Sequence, residues 1–240
     1  MRIQALLFDF DGLILDTETP QVEVWKAIYA EHGFDYPVED WCQTIGGWGA
    51  STFDPAAELS RLHGDKLDVE ALRHRGESEC NALIDASPAM PGTGECLEWA
   101  KSKGLRIAIV SSSERSWVEP HLARLGLLSK FERVITGDDV APGRTKPHPD
   151  VFLKALSVLR LSADSALVVE DSPHGITAAH KAGLAVLAIP NPVTKLLPMQ
   201  EADLILDSLA EIPLRHVLER FDAPPQSLPR GTSPTTLPTD

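Results

Sequence analysis

Two carboxylates lie two positions apart near the start of the chain. Asp9 and Asp11 close an apolar run that begins at residue 3, and a glycine follows them directly. Like charges at this spacing repel each other unless a proton or a cation lies between them. The pattern begins like a calcium-binding EF-hand loop, but Leu13 and Ile14 stand where that loop needs a ligand and a glycine. The motif therefore indicates either two solvated acids or one part of a cation site.

A second acidic pair, Glu170 and Asp171, ends a later apolar run and precedes a Ser-Pro sequence typical of a helix start. Alone, such a pair is also typical of a helix cap. Because the carboxyl ends of parallel strands meet at one edge of a sheet, we expect both residues to lie close to Asp9. Three carboxylates in one place offer the hard oxygen ligands that Mg²⁺ prefers.

Hydroxyl groups and one lysine complete a candidate anion site. Ser111, Ser112 and Ser113 follow another apolar run, where hydroxyls and amides before a helix either form a cradle for an anion or simply cap the helix. Lys146 stands in the sequence Thr-Lys-Pro-His-Pro before a further helical pattern. A single lysine is most often a solvated surface residue, but beside these prolines it has a fixed place. Its charge would offset both the acids and a bound anion.

Six short apolar runs alternate with helical patterns along most of the chain. The alternation predicts an α/β fold with a Rossmann-like parallel sheet as its core and helices on both faces. In such sheets a ligand site lies beyond the carboxyl ends of the strands, which is where the polar residues above fall. The apolar runs span residues 3–10, 106–110, 132–136, 166–170, 185–189 and 203–206, and the main helical patterns lie near 93–103, 114–126, 149–159 and 173–183.

The connection between the first and second strands is anomalous. A crossover between parallel strands takes about 30 residues, whereas about 100 residues separate Asp9 from the end of the second run. The excess predicts a small α-helical cap domain over residues 16–87, inserted into a core of residues 1–15 and 88–222. A long helical excursion packed on the core is the alternative. Residues 223–240 hold five prolines and few apolar side chains, which predicts a disordered tail.

The composition disfavours several classes of protein. The 22 basic and 35 acidic side chains give a formal net charge of −13, which disfavours binding to nucleic acid or to an anionic membrane. No run of about 18 apolar residues is present, and acidic residues come too early for a signal peptide. Three cysteines without metal-ligand spacing fit a reducing compartment. We therefore expect a cytoplasmic protein, monomeric or weakly homo-oligomeric, that acts on a small molecule.

The ordered set of motifs resembles the haloacid dehalogenase-like hydrolase superfamily. Residues 9–18 read Asp-Phe-Asp-Gly-Leu-Ile-Leu-Asp-Thr-Glu and residues 168–175 read Val-Val-Glu-Asp-Ser-Pro-His-Gly, similar to the branch of β-phosphoglucomutase-like phosphatases. The strand-ending serine and the lysine before a Pro-x-Pro segment fall between them in the order of that family. The resemblance covers about residues 1–215 and implies a helical cap inserted after the first strand.

The resemblance implies a role for each matching residue of the catalytic motifs. Asp9 would be the nucleophile that becomes a transient aspartyl phosphate. Asp11 would protonate the leaving oxygen and then take a proton from the attacking water. Ser111, the amide of Ser112 and Lys146 would hold the oxygens of the transferring phosphoryl group.

The same resemblance implies Mg²⁺ as the cofactor and a small phosphorylated metabolite as the substrate. The metal would be bound by Asp9, the backbone carbonyl of Asp11 and Asp171, with Glu170 as a ligand either directly or through water. An acid at position 11 favours a phosphatase or a phosphomutase, since dehalogenases of the family lack it and its transport ATPases have threonine there. The implied activity is hydrolysis of a phosphomonoester.

The predicted cap decides between hydrolysis and phosphoryl transfer to a sugar. Gln21 stands about where β-phosphoglucomutase has a hinge histidine, and the glycine-rich residues 46–50 lack that enzyme's cap arginine. Both differences favour a phosphatase, with a sugar phosphomutase as the alternative. A binding protein that has lost turnover is disfavoured by the intact acidic motifs. The candidate residues for substrate specificity are Gln21, Trp48, Arg75 and Arg115.

Overall fold

A parallel β-sheet forms the centre of the protein in its computed structural model, which describes residues 2–45, 53–211 and 213–222. The described strands are β1 (Ala5–Phe8), β2 (Arg106–Val110), β3 (Arg133–Ile135), β4 (Ala166–Glu170), β5 (Ala185–Ala188) and β6 (Leu204–Ile205). They lie in the order β3-β2-β1-β4-β5-β6, with every neighbouring pair parallel. The predicted α/β fold with a Rossmann-like sheet is confirmed.

Helices fill the connections between these strands and the long excursion after β1. The described α-helices are α1 (Thr19–Glu31), α2 (Val38–Cys42), α3 (Pro55–Leu62), α4 (Val69–Ala86), α5 (Thr93–Ser102), α6 (Arg115–Arg124), α7 (Asp150–Leu159), α8 (Pro173–Lys181) and α9 (Leu214–Asp222). Within the described ranges, none of them combines the length and the apolar character that crossing a membrane would need. The tail predicted over residues 223–240 lies outside the described residues.

Both faces of the sheet are covered by helices. In β1, Leu6 and Phe8 belong to one apolar layer, while Ala5 and Leu7 belong to the other, and all four are fully buried. Helices α5, α6 and α9 contribute to the first layer, and α7 and α8 contribute to the second. Burial on both faces explains why the strands are continuous apolar runs rather than alternating ones.

The register of β1 determines which side chains meet at the carboxyl edge of the sheet. Phe8 pairs with Ile109 of β2 on one side and with Val169 of β4 on the other. The amide of Asp9 continues this pattern and donates a hydrogen bond of 2.9 Å to the carbonyl of Val169. The polar residues that follow these three strands therefore emerge side by side, as the sequence predicts.

Helices α1 to α4, which we call the helical unit, enclose an apolar cluster of their own. Ile28, Tyr29 and Leu59 are fully buried in it, and the hydroxyl of Tyr29 donates to the carbonyl of Pro55 at 2.8 Å. Val193, from the loop after β5, is also part of this cluster. The helical unit thus has its own core and packs on the sheet domain through a loop that leaves the same edge as Asp9.

Gly76 brings α4 close to α1. A Cβ atom at Gly76 would lie 2.4 Å from Cζ2 of Trp25, whereas one at Gly94 in α5 would meet nothing within 4 Å. We expect Gly76→Ala to lower the free energy of unfolding by about 1–3 kcal/mol, because the methyl group overpacks against the indole.

The matched change Gly94→Ala should leave the free energy of unfolding unchanged or raise it by up to about 1 kcal/mol, since alanine is the better helix former. Urea denaturation of both variants measures the difference. Equal effects of the two changes would show that the Trp25 indole moves aside easily and that contact between α1 and α4 does not depend on a glycine.

Candidate active site

Lys146 lies at the centre of the acidic cluster at the carboxyl edge of the sheet. Its Nζ atom is 2.6 Å from Oδ1 of Asp9 and 2.6 Å from Oε1 of Glu170, and only 1% of its side chain is exposed. Burial favours the neutral amine and by itself lowers the pKa of Lys146, but attraction by the two carboxylates outweighs burial and raises the pKa overall. The ammonium group therefore stays charged.

The buried cluster holds more negative than positive charge. Among the described residues, the buried carboxylates are those of Asp9, Glu18, Glu170 and Asp171, and Lys146 supplies the one buried ammonium group. Burial and repulsion by Glu170 raise the pKa of Asp9 to about 7, although Lys146 acts in the opposite direction. Burial, Glu18 and Glu170 likewise raise the pKa of Asp171 well above its usual range. Such an excess of buried negative charge suits a site that binds a cation.

Carboxylate oxygens of Asp9, Glu170 and Asp171 lie within 4.8 Å of one another, close enough to share a metal ion. Glu170 differs from the other two because it does not line the cavity above the cluster and its Oε2 atom already accepts three hydrogen bonds. Its Oε1 atom faces Lys146, and its Oε2 atom accepts from the amide of Asp171 at 3.0 Å and from the amide and hydroxyl of Ser172 at 3.2 and 3.1 Å. This leaves Asp9 and Asp171 as the carboxylates that are open to a metal ion.

The serines after β2 lie beside this acidic cluster. The side chain of Ser111 is buried, and its Oγ atom accepts from the amide of Ser113 at 3.0 Å. The Oγ atom of Ser112 is buried without a hydrogen-bond partner among the described residues, and Ser112 lines the cavity above the cluster. A buried hydroxyl without a partner beside an ammonium group is suited to an anionic oxygen of a ligand.

Asp11 is held by two donors: Ser113, which the sequence analysis placed in the candidate anion site, and Trp117, which it did not assign to the site. The Ser113 hydroxyl donates to Oδ2 of Asp11 at 2.6 Å, and Nε1 of Trp117 donates to Oδ1 at 2.8 Å. Both oxygens of the carboxylate therefore accept a hydrogen bond, and its orientation is defined. Trp117 lies in the first turn of α6, and no local pattern of the sequence connects it with Asp11.

The same face of α6 contacts the chain segment through which the helical unit rejoins the sheet domain. The rings of Trp117 and His121 are 4.3 Å apart, and His121 stacks on Phe10 at 6.3 Å. One turn further, Arg124 donates to the carbonyls of Ser87 at 2.9 Å and Ile84 at 3.1 Å. Helix α6 therefore connects the Asp11 carboxylate with the end of α4.

Glu18 and Asn191 form a second buried pair that the sequence analysis missed. The Nδ2 atom of Asn191 donates to Oε2 of Glu18 and, at 2.8 Å, to Oδ2 of Asp171. Burial and repulsion by Asp11 raise the pKa of Glu18 well above its usual range. Gly12 makes this packing possible, since a Cβ atom there would lie 2.2 Å from Oδ2 of Asp171. No pattern around Asn191 distinguishes it from an ordinary loop residue.

A cavity of about 600 Å³ opens above these residues, between the sheet edge and the helical unit. Asp9, Asp11, Ser111, Ser112, Lys146 and Asp171 line its floor. The helical unit supplies the opposite wall. The residues of that wall include Gln21, Trp41, Thr44 and Glu77.

The structure places the candidate specificity residues in different surroundings. Gln21 lines the cavity, and Trp48 lies outside the described residues. Arg75 and Arg115 do not line the cavity, so the structure does not support their selection. Arg75 pairs with two glutamates of the helical unit at 2.6 and 2.7 Å, and Arg115 pairs with Glu119 at 2.7 Å and with an aspartate at 2.6 Å. Their guanidinium groups are held by carboxylates outside the cavity.

Sequence comparison identifies relatives over most of the chain. Residues 6–189 match the sequence profile of the haloacid dehalogenase-like hydrolases. The chain is 39% identical over 221 residues to YhcW of Bacillus subtilis, a phosphatase by name, which covers 92% of the chain and 99% of the relative. It is also 31% identical over 184 residues to the fructose-1-phosphate phosphatase YqaB of Escherichia coli, which covers 76% of the chain and 94% of the relative.

Solved structures show the same fold. A hydrolase of this family from Deinococcus radiodurans, solved with bound phosphate and sodium, has a TM-score of 0.71 and 28% sequence identity to the chain, covering 92% of the chain and 96% of that structure. The profile match spans both acidic motifs, the serines after β2 and Lys146. The chain therefore belongs to the haloacid dehalogenase-like hydrolase family.

Proposed function

We propose that the protein is a Mg²⁺-dependent phosphatase that hydrolyses a small phosphorylated metabolite through an aspartyl-phosphate intermediate. One observation carries the proposal: Asp9 lies against a charged, buried Lys146 at the floor of a cavity that Ser112 also lines, and the buried Ser112 hydroxyl has no partner among the described residues. This arrangement offers a nucleophile and cationic and hydroxyl groups for phosphate oxygens in one place. The phosphatase names of the relatives support the same reaction class.

Asp9 and Asp11 would divide the chemistry between them. A carboxylate oxygen of Asp9 attacks phosphorus, and the bond from phosphorus to the leaving oxygen breaks while Asp11 gives that oxygen a proton. In the second step Asp11 takes a proton from water, whose oxygen attacks the aspartyl phosphate and releases inorganic phosphate. The two donors on Asp11, Trp117 and Ser113, keep its carboxyl group aimed for both proton transfers.

Lys146 and the serines after β2 would hold the phosphoryl group during both steps. The ammonium group lies 2.6 Å from the Asp9 oxygen, so it offsets repulsion between the nucleophile and an anionic phosphate. Glu170 then positions Lys146 and maintains its charge. The hydroxyls of Ser111 and Ser112 supply donors for the equatorial oxygens.

Mg²⁺ fits the donor set beside the nucleophile. The carboxylates of Asp9 and Asp171 would hold the ion together with the backbone carbonyl of Asp11, and Glu170, which does not line the cavity, would act on it only indirectly. Such an ion supplies positive charge that neutralises the phosphate and the buried acids. Oxygen ligands with room for water are typical of Mg²⁺ sites.

The helical unit would act as the cap of this active site. We assign residues 16–87 to the cap and residues 1–15 and 88–222 to the core, because the helical unit has a separate apolar cluster and supplies one wall of the cavity. A cap that closes over the strand ends excludes water and contacts the leaving group. Specificity would therefore come from the cap and chemistry from the core.

Hydrolysis is favoured over the phosphomutase alternative by the cap wall. Gln21 lines the cavity at the position where the resemblance would require a histidine for a mutase. Two relatives of the chain carry phosphatase names. Three buried free thiols agree with a cytoplasmic location, and we retain a monomer or weak homo-oligomer as the expected state.

The first test concerns the nucleophile and the metal. Turnover of p-nitrophenyl phosphate should require Mg²⁺ and stop with EDTA, because the buried acids need a further cation. Asp9→Asn should remove measurable turnover, since an amide is a poor nucleophile and a poor ligand. Steady-state rates measure both effects, with the exposed Asp164→Asn as the control. Full activity of Asp9→Asn would overturn the covalent mechanism.

The second test separates the two tasks of Asp11. Alkyl phosphates need a proton on the leaving oxygen, whereas p-nitrophenolate departs without one. In Asp11→Asn, the rate of phosphorylation by an alkyl phosphate should therefore fall by about 10²–10⁴-fold relative to the unaltered protein. The rate of phosphorylation by p-nitrophenyl phosphate should change little. Rapid mixing should then show a burst of about one p-nitrophenolate per active site, because hydrolysis of the intermediate still lacks its base. Equal losses for both substrates without a burst would contradict the acid–base role.

The third test concerns Trp117. Phenylalanine at this position keeps an aromatic ring beside His121 but removes the N–H that holds Asp11. Trp117→Phe should slow turnover of an alkyl phosphate by about tenfold, with a smaller effect on phosphorylation by p-nitrophenyl phosphate. Trp99→Phe, which changes an indole of α5 outside the cavity, is the matched control. If both variants affect the two substrates alike, Trp117 contributes only to packing.

A further inference from the structure

A second space of about 320 Å³ lies next to the cavity, between the helical unit and α6. Gln21, Trp41, Glu77 and Trp117 line both spaces, so the two are adjacent. Given the proposed phosphatase function, this second space would receive the alcohol part of the substrate. We call it the leaving-group site.

The cationic side chains that line the two spaces are already paired with carboxylates of the protein. Lys146 lies between Asp9 and Glu170 at the floor. Arg73, in the wall of the leaving-group site, donates to Oδ2 of Asp54 at 2.9 Å through its Nε atom and to Glu70 at 2.6 Å. Among the described residues that line the cavity, no arginine or lysine is left for a second anionic group of a substrate.

Exposed acidic side chains, in contrast, belong to the lining of these spaces. Glu77 is exposed on α4, lines both spaces and has no ion-pair partner within the described ranges. Glu114 is exposed at the start of α6 and lines the first space from the core side. A carboxylate or a second phosphate on the substrate would therefore meet like charge from both walls.

The remaining groups of the leaving-group site fit a hydroxyl-rich neutral molecule. Trp25, Trp41 and Trp117 offer indole rings on which the C–H groups of a sugar or polyol can pack. Gln21 and Asn81 offer amides that can both donate to and accept from hydroxyl groups. These are the donors and surfaces of an uncharged polyol site.

We propose that the leaving-group site takes an uncharged polyhydroxy alcohol and that Glu77 determines specificity by rejecting substrates with a second negative charge. The proposal rests on the phosphatase function proposed above. It names a residue of the cap that the motifs of the sequence do not identify, and it predicts discrimination by charge rather than by size.

The test uses two aryl phosphates of nearly equal size, 4-carbamoylphenyl phosphate and 4-carboxyphenyl phosphate. The first carries a neutral amide where the second carries a carboxylate. The unaltered protein should prefer the amide by about tenfold in kcat/KM, and the preference should decrease as ionic strength increases. Glu77→Gln should reduce the preference at least about threefold, and Glu77→Lys should abolish or invert it.

The matched control is Glu23→Lys, which makes the same change of charge at an exposed site on α1 outside the cavity. This variant should retain the preference of the unaltered protein. Melting temperatures of all variants show whether they are folded, and Glu77→Gln keeps the shape of the side chain. Equal kcat/KM for the two phosphates in the unaltered protein, or an equal shift in the Glu23 and Glu77 variants, would overturn the proposal.

The experiment distinguishes a failure of the phosphatase assignment from a failure of the role of Glu77. If the unaltered protein hydrolyses neither aryl phosphate and does not hydrolyse p-nitrophenyl phosphate with Mg²⁺, the phosphatase assignment and this proposal fail together. If p-nitrophenyl phosphate is hydrolysed but the amide is not preferred, the phosphatase function stands and only the role of Glu77 is wrong.

Discussion

The ion pairs of Lys146 are the interaction on which the site depends. A single ammonium group lies 2.6 Å from carboxylates that come from two neighbouring strands, and it is nearly inaccessible to water. Removing Lys146 would leave both buried carboxylates without their cation, which is far more costly than losing a surface ion pair. The buried acids still exceed this one cation, so the folded protein retains a demand for positive charge at the place where a metal and a phosphate are proposed to bind.

The register of the sheet, rather than local sequence, brings these charged residues together. Because β1 pairs with β2 on one side and β4 on the other, residues more than a hundred positions apart emerge side by side. Glycine at position 12 then lets the chain turn close to Asp171, with a positive φ of 73°. The same edge carries the loop that contributes Val193 to the apolar cluster of the helical unit.

The fold and the floor of the site could be predicted from the sequence because both follow from local patterns that recur along the chain. Continuous apolar runs predict strands buried on both faces, and the polar residues that end such runs must meet at one edge. The helical unit could be predicted from spacing alone. Trp117, Glu18 and Asn191 could not, since their roles depend on side-chain contacts between segments that no local pattern connects. The ion pairs that hold Arg75 and Arg115 could not be predicted either, because their carboxylate partners are brought together only by the fold.

Helix α6 has a consequence for attempts to exchange the helical unit between members of the family. Arg124 holds the carbonyls of Ile84 and Ser87 from the same helical face on which Trp117 holds the Asp11 carboxylate. A chimaeric enzyme that joins a different cap to this core would have to reproduce the path of the backbone at that junction. The contacts of Arg124 are made with backbone carbonyls, which every residue type has, so a sequence alignment does not show whether they are kept. A shifted junction would remove the contacts of Arg124, which belong to the same face of α6 as the contact with Asp11, the residue proposed to transfer protons. Grafting at this hinge is therefore a matter of backbone geometry rather than of matching side chains.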